Sequence, residues 1–181
     1  MKGLIVFSTN MEDVEALATR ALLVRAGIKM DSMTFETSKE ITTAFGQMIK
    51  ADYVINEIDY DSYDFVVIPG GKYVAEVINQ DINIKALVTQ FYQQSKLVAA
   101  ICAGPRFLGQ AGLLDLRNYT AYHGSEIDMP KGNYLPDKKA VSDQNIITAR
   151  GAGAVYEFTY EIIKYLYDEN KAKALLKNIL F

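Results

Sequence analysis

Three runs of this chain are apolar at every position, and each breaks off into residues too small or too rigid to continue it. Leu4-Ile5-Val6-Phe7 ends in Ser8-Thr9-Asn10, Phe65-Val66-Val67-Ile68 in Pro69-Gly70-Gly71, and Leu97-Val98-Ala99-Ala100-Ile101 in Cys102-Ala103-Gly104-Pro105. A strand with one wet face alternates apolar and polar side chains, so a solid run predicts a strand buried on both faces. That burial requires helices on each side of a mostly parallel sheet. The intervening segments supply them. Val14, Leu17, Ala18, Ala21 and Val24 fall at helical spacing, with Thr9 and Glu12 spaced as a capping box and Gly27 placed as a stop. Asp81 is predicted to cap a helix carrying Ile82, Leu87, Val88 and Phe91, and Pro105 opens a helix that Gly112 ends. Further strands are predicted over residues 28–34, 119–122 and 146–148. A long helix places Val155, Phe158, Ile162 and Leu166 on one face, and Asn170 caps a last one. Residues 41–63 give a weaker pattern, with a short strand at Tyr53-Val54-Ile55 and a solvated acidic loop after it. The expectation is an α/β fold, a doubly wound and mostly parallel sheet flanked by helices, with residues 1–181 as one domain.

Composition removes several classes of function. Half of the residues are apolar and 23% are charged, the balance of a soluble globular chain. With 19 basic and 22 acidic side chains the net charge is −3, which argues against nucleic acid or an anionic membrane as partner. No apolar run approaches the roughly 18–20 residues that cross a bilayer. One cysteine forms no internal disulfide and no export signal is readable, so a reducing cytoplasm is expected. Cys102 and His123 are the only residues of their kinds, which excludes metal sites built on several such ligands. No glycine-rich loop ends in Gly-Lys-Ser/Thr. Gly151-Ala152-Gly153 lacks the third glycine of a dinucleotide fingerprint and reads as a tight turn into the last long helix. No cofactor is expected.

Ligands of a doubly wound sheet bind beyond the carboxyl ends of its strands. Four junctions occupy that place: residues 8–15, 69–71, 101–105 and 122–124. Cys102 sits at a strand-to-helix elbow, where helix N–H groups lower a thiol pKa and small neighbours let the sulfur stand clear; the other reading is a buried small hydrophobe. Glu15 lies early in the first helix. Acidic residues there often serve the macrodipole alone, but a buried, protonated Glu15 would donate a hydrogen bond to sulfur and favour the thiolate. His123 fits a proton carrier beside a cysteine, or an incidental loop histidine. Gly70, Gly71 and Ala103 offer backbone N–H donors to an oxyanion, although diglycines also make plain turns.

These residues resemble the ThiJ/PfpI family, in the branch of the human Parkinson-disease-linked deglycase and within the class I glutamine amidotransferase-like superfamily. The resemblance rests on Ala99-Ala100-Ile101-Cys102-Ala103-Gly104-Pro105 and Asp64-Phe65-Val66-Val67-Ile68-Pro69-Gly70-Gly71. It extends to Glu12-Asp13-Val14-Glu15, Thr120-Ala121-Tyr122-His123 and Thr148-Ala149-Arg150-Gly151-Ala152-Gly153. It implies a flavodoxin-like three-layer sandwich, usually a homodimer. Cys102 is then the oxidation-prone nucleophile, Glu15 its protonated partner and His123 a nearby imidazole. The implied activity is cofactor-free and acts on a small electrophilic carbonyl, as a glyoxalase or as a deglycase of early glycation adducts. A redox-responsive sensor or chaperone is the alternative, and an intracellular peptidase or amidase a third. Ala103 stands where the peptidase-like branch often has His, and Gly124 where the human branch has proline.

Overall fold

The computed structural model describes residues 1–181. Its strands are β1 (Lys2–Val6), β2 (Lys29–Thr34), β3 (Glu40–Thr42), β4 (Met48–Lys50), β5 (Tyr53–Val54), β6 (Phe65–Ile68), β7 (Leu97–Ile101), β8 (Asn118–Tyr119), β9 (Asn133–Tyr134), β10 (Ala140–Asp143) and β11 (Ile146–Ala149). Its α-helices are α1 (Thr19–Arg25), α2 (Lys72–Val77), α3 (Asn83–Gln93), α4 (Pro105–Gln110), α5 (Val155–Leu166) and α6 (Glu169–Asn178). Seven strands form one sheet in the order β10-β11-β7-β6-β1-β2-β5. All its neighbours are parallel except β10, which runs antiparallel to β11.

The solid apolar runs occupy the centre of this sheet. Every residue of β6, β7 and β11 is buried. Helix α3 packs on β6 and β7 with α4 beside it, whereas α5 packs on β7, β10 and β11 with α1 and α6 against it. The result is the flavodoxin-like, three-layer arrangement, built around a continuous cluster of 47 buried apolar residues. Asp81 caps α3 as expected, accepting from the Ile84 and Lys85 N–H groups at 3.0 and 3.2 Å. Gly27 (φ +84°) and Gly112 (φ +73°) end α1 and α4 in the left-handed conformation that glycine adopts without strain. No helix is long and apolar enough to cross a membrane.

Strand order reverses between β1 and β6. The chain steps outward from β1 to β2 and β5, then returns to the other side of β1 with β6, β7 and β11. The crevice at such a reversal lies beyond the carboxyl ends of the two strands. The β1–α1 connection and the Pro69-Gly70-Gly71 turn meet there, and Cys102 leaves the adjacent β7.

Several local expectations are corrected. The first helix starts as a π-helical segment, Val14–Ala18, before continuing as α1. Its buried face is Glu15, Ala16, Thr19, Leu22 and Leu23, while Val14, Ala21 and Val24 of the apolar stripe face solvent. A π turn holds more residues than an α turn, so it rotates the side of the helix that meets the sheet. Thr9 does not cap it: its N–H and hydroxyl donate to the Glu36 carboxylate at 2.6 and 2.8 Å, and Glu12 instead accepts from the Glu15 N–H at 2.6 Å. Ile82 precedes α3 and is exposed. Of the segment expected at 119–122 only Tyr119 is strand, as the end of β8, which pairs with β9 outside the main sheet. The next residues turn away because the Thr120 N–H donates to Thr148 Oγ1 and the Tyr122 N–H to the Cys102 carbonyl. Asp168, not Asn170, caps α6, accepting from the Lys171 N–H at 2.8 Å. Residues 41–63 complete the β3–β4 hairpin, add the edge strand β5 and make two 3-10 turns. Asp13 holds the hairpin tip through the Thr43 hydroxyl at 2.6 Å.

Phe158 is fully buried on the α5 face that meets the sheet. Phe158→Ala is expected to destabilise the protein by about 3–5 kcal/mol through lost burial and the cavity left behind. A urea titration showing less than about 1 kcal/mol would mean that α5 is not held by this contact.

Candidate active site

Leaving β7, the chain reverses sharply at Cys102, whose φ of +63° lies in the left-handed region. That conformation costs a residue with a side chain on the order of 1–3 kcal/mol and persists only where surrounding bonds enforce it. Three do. The Cys102 N–H donates to the Ala149 carbonyl at 2.8 Å, the Cys102 carbonyl accepts from Tyr122 at 2.8 Å, and the Gly104 N–H closes the turn on Ile101 at 2.9 Å. Gly104 has no room for a side chain, since a Cβ there would lie 2.5 Å from the Ile68 carbonyl oxygen. Pro105 then opens α4.

The sulfur does not stand clear of the sheet as the elbow predicts; Cys102 is only partly exposed. The Pro69-Gly70-Gly71 turn crowds it. A Cβ on Gly70 would fall 2.7 Å from Cys102 Cβ and 2.6 Å from Glu15 Oε2, so glycine is what lets acid and thiol approach across this turn. Gly71 is required on other grounds: its φ is +129°, and a Cβ would meet the backbone of Asn10 and Glu12 at 2.5 Å.

Glu15 reaches the sulfur from the opposite side. The π-helical segment aims it inward, where it is 1% exposed. Its Oε2 accepts from the Gly70 N–H at 3.0 Å, the Ala152 N–H also bonds it, and its carboxyl hydrogen-bonds Cys102. Burial raises the Glu15 pKa to about 7, and the Glu12 charge adds to the rise. The bonds from Cys102, Gly70 and Ala152 oppose it without winning.

For Cys102 the balance differs from the expectation of a thiol made acidic by its helix. Burial pushes the thiol up, and an ionised Glu15 pushes it further, by its charge and by accepting the thiol proton; the Ala103 N–H pulls the other way. Helix α4 has six residues, too short to outweigh these effects. Sulfur and carboxyl therefore ionise as one unit, and a single proton is shared between them above the first step. The sulfur is the charged atom only when that proton sits on Glu15.

The structure thus gathers Cys102, Glu15, Gly70 and Ala103 into one hydrogen-bonded group. Gly70 N–H and Ala103 N–H are committed to Glu15 and to sulfur, whereas Gly71 N–H has no acceptor. His123 stands apart, exposed on the turn after Tyr122 with no hydrogen bond to Cys102 or Glu15. Ala152 was missed as a contributor, although one signal was available. A parallel strand ending at Ala149 beside the cysteine strand must discharge its following turn into the same crevice.

A cysteine–carboxyl pair beside the switch point of a seven-stranded, mostly parallel sheet defines a flavodoxin-like α/β protein with a cysteine–carboxyl site. The chain belongs to the DJ-1/PfpI family, whose model matches residues 1–165. It is 32% identical over 167 residues to deglycase PfpI of Pyrococcus furiosus, covering 92% of this chain and 99% of that one. It is 29% identical over 170 residues to the glutathione-independent glyoxalase DJR-1.2 of Caenorhabditis elegans, covering 93% and 89%. The solved structure of oxidized DJ-1 from Toxoplasma gondii superposes with a TM-score of 0.88 at 27% identity, covering 99% of this chain and 98% of that one.

A carboxyl raised from 4.5 to about 7 withdraws stability as pH rises between those values, because the unfolded chain ionises first. The difference of 2.5 pKa units corresponds to roughly 3 kcal/mol, fully present below about pH 4.5 and lost through pH 7. Glu15→Gln is expected to remove most of the decline in Tm over that window; an unchanged slope would mean that Glu15 ionises normally. Iodoacetamide alkylation of Cys102 is expected to have its midpoint above that of a free thiol, and the midpoint to move downward in Glu15→Gln, which removes the charge that holds the proton on sulfur. A midpoint that stays or rises would show that the carboxyl does not govern the thiol proton.

Proposed function

We propose that this protein is a cysteine-dependent, cofactor-free enzyme acting on reactive carbonyls, converting α-oxoaldehydes such as methylglyoxal to hydroxy acids or reversing early glycation adducts. The observation that carries this reading is the buried Glu15 carboxyl bonded to Cys102, with a pKa near neutrality. Such a group can take the thiol proton and give it up again at physiological pH. The relatives named deglycase and glyoxalase support the same class.

The steps close on the residues present. The Cys102 sulfur adds to the aldehyde carbon as its proton passes to Glu15, and the alkoxide takes that proton from Glu15, with the free Gly71 N–H available to hold the developing oxyanion. The Glu15 carboxylate then removes the hydrogen from that carbon and returns it to the neighbouring carbonyl carbon, while the hydroxyl proton passes to the neighbouring oxygen, so that a thioester and an alcohol result. One carbon is oxidised and the other reduced, so no external redox agent enters. Water hydrolyses the resulting thioester to lactate and restores the shared proton. His123, outside the hydrogen-bonded group, is the secondary proton carrier. The free thiol suits a reducing compartment such as the cytoplasm, and the exposed apolar side of the first helix (Val14, Ala21, Val24) suits a homodimer.

A second reading rests on the same donors. A sulfenate or sulfinate on Cys102 would accept from Ala103 N–H and from protonated Glu15, which favours a redox-responsive sensor or chaperone. Stoichiometric oxygen addition at Cys102 under peroxide, with negligible carbonyl turnover, would select it.

Lactate formation from methylglyoxal without glutathione is the test. Cys102→Ser is expected to lose activity by at least about 10²-fold, Glu15→Gln similarly, and His123→Ala by less than about tenfold. Activity surviving Cys102→Ser would sink the mechanism.

A further inference from the structure

Four of the five arginines have side-chain partners. Arg20 bonds the Met30 carbonyl and pairs with Asp52, Arg25 bonds Asn178, Arg106 pairs with Asp128, and Arg117 pairs with Asp143 and bonds the Tyr92 hydroxyl. Arg150 has none and is exposed. It follows Ala149, whose carbonyl anchors the Cys102 N–H, so its place in the chain is tied to the reactive elbow. Arg150 and the equally unpartnered His123 line a depression of about 500 Å³ walled by the Gly151–Ala154 turn. No carboxylate lines it, although the chain as a whole carries a net charge of −3. The wall reaches the acid bonded to Cys102, since the position of a Gly151 Cβ lies 4.0 Å from Glu15 Oε1 and 3.7 Å from the Tyr122 ring. The crevice formed by Ser8, Glu36, Glu76 and Asp81 has the opposite character and would repel an anion.

We propose that Arg150, with His123 beside it, binds the carboxylate of an acidic α-oxoaldehyde whose aldehyde carbon lies on Cys102. This deepens the carbonyl-enzyme reading and rests on it. One guanidinium matches one carboxylate, and its planar fork donates two parallel hydrogen bonds that a neutral substrate cannot accept as strongly. The substrate is then an α-oxoaldehyde extended by a short acid-bearing chain. With 4,5-dioxopentanoate, water adds, the aldehyde carbon becomes a carboxylate and the adjacent ketone an alcohol, giving 2-hydroxyglutarate with no other reactant.

The readout is the ratio of kcat/KM for 4,5-dioxopentanoate to that for its methyl ester. The wild type is expected to favour the acid by about tenfold or more, mainly through KM. Arg150→Gln is expected to bring the ratio close to one, and Arg150→Lys to keep part of the preference. An equal ratio in wild type and Arg150→Gln overturns the subsite while leaving the carbonyl chemistry standing. If the wild type turns over neither compound, the carbonyl reading fails and binding decides the subsite separately. Calorimetric titration of the Cys102→Ser protein then supports it if the acid binds more tightly than the ester and the difference vanishes with Arg150→Gln; equal affinities overturn it.

Discussion

One buried carboxyl sets the terms for this site. Glu15 is sealed from water, so ionising it is costly, and it keeps its own proton up to about neutrality. Cys102 by itself is poorly placed to ionise, because burial opposes its charge and the short α4 offers little relief. The two groups are coupled. An ionised Glu15 holds the proton on sulfur more firmly, and the acid stays neutral up to about pH 7 because the crevice is dry.

Holding that pair together concentrates unfavourable features at one corner of the sheet. A cysteine adopts positive φ, a helix opens with a π turn, and a carboxyl is buried without a cationic partner. Each feature alone would destabilise a small domain by an appreciable part of its stability. They are offset by the layers behind them, where β6 and β7 are wholly buried and neighbouring carbonyls grip the elbow. Rigidity of the central strands and strain at their ends are two sides of one arrangement, as expected where backbone geometry serves chemistry.

Much of the fold was legible because solid apolar runs have few solutions. Residues 65–68 and 97–101 could only be strands covered on both faces, and the punctuation at Gly27, Asp81, Pro105 and Gly112 acts through local chemistry that needs no tertiary information. The misreadings cluster where tertiary bonds overrode local preference. Thr9 and Glu12 have capping-box spacing, yet Glu36 arrives from a distant segment and takes Thr9. The stripe Val14, Leu17, Ala18, Ala21 and Val24 has helical period, yet the π turn faces Glu15 inward and part of the stripe outward. Residues 41–63 carried too few apolar positions to reveal a hairpin that a side chain from the first helix holds in place.

By itself the sequence determined the α/β architecture, the elbow at Cys102 and the glycines that frame it, because these follow from burial pattern and backbone sterics within a few residues. It also named Glu15 as the acid, but only the tertiary structure decided its state and its reach. Whether a carboxyl is neutral depends on the water excluded around it, and whether it touches sulfur depends on Gly70 having no side chain. Only the fold, too, assigned Gly70 N–H to the acid, added Ala152 to its ligands and left His123 at the rim with Arg150, because those placements come from strands that neighbour in space while lying far apart in the chain.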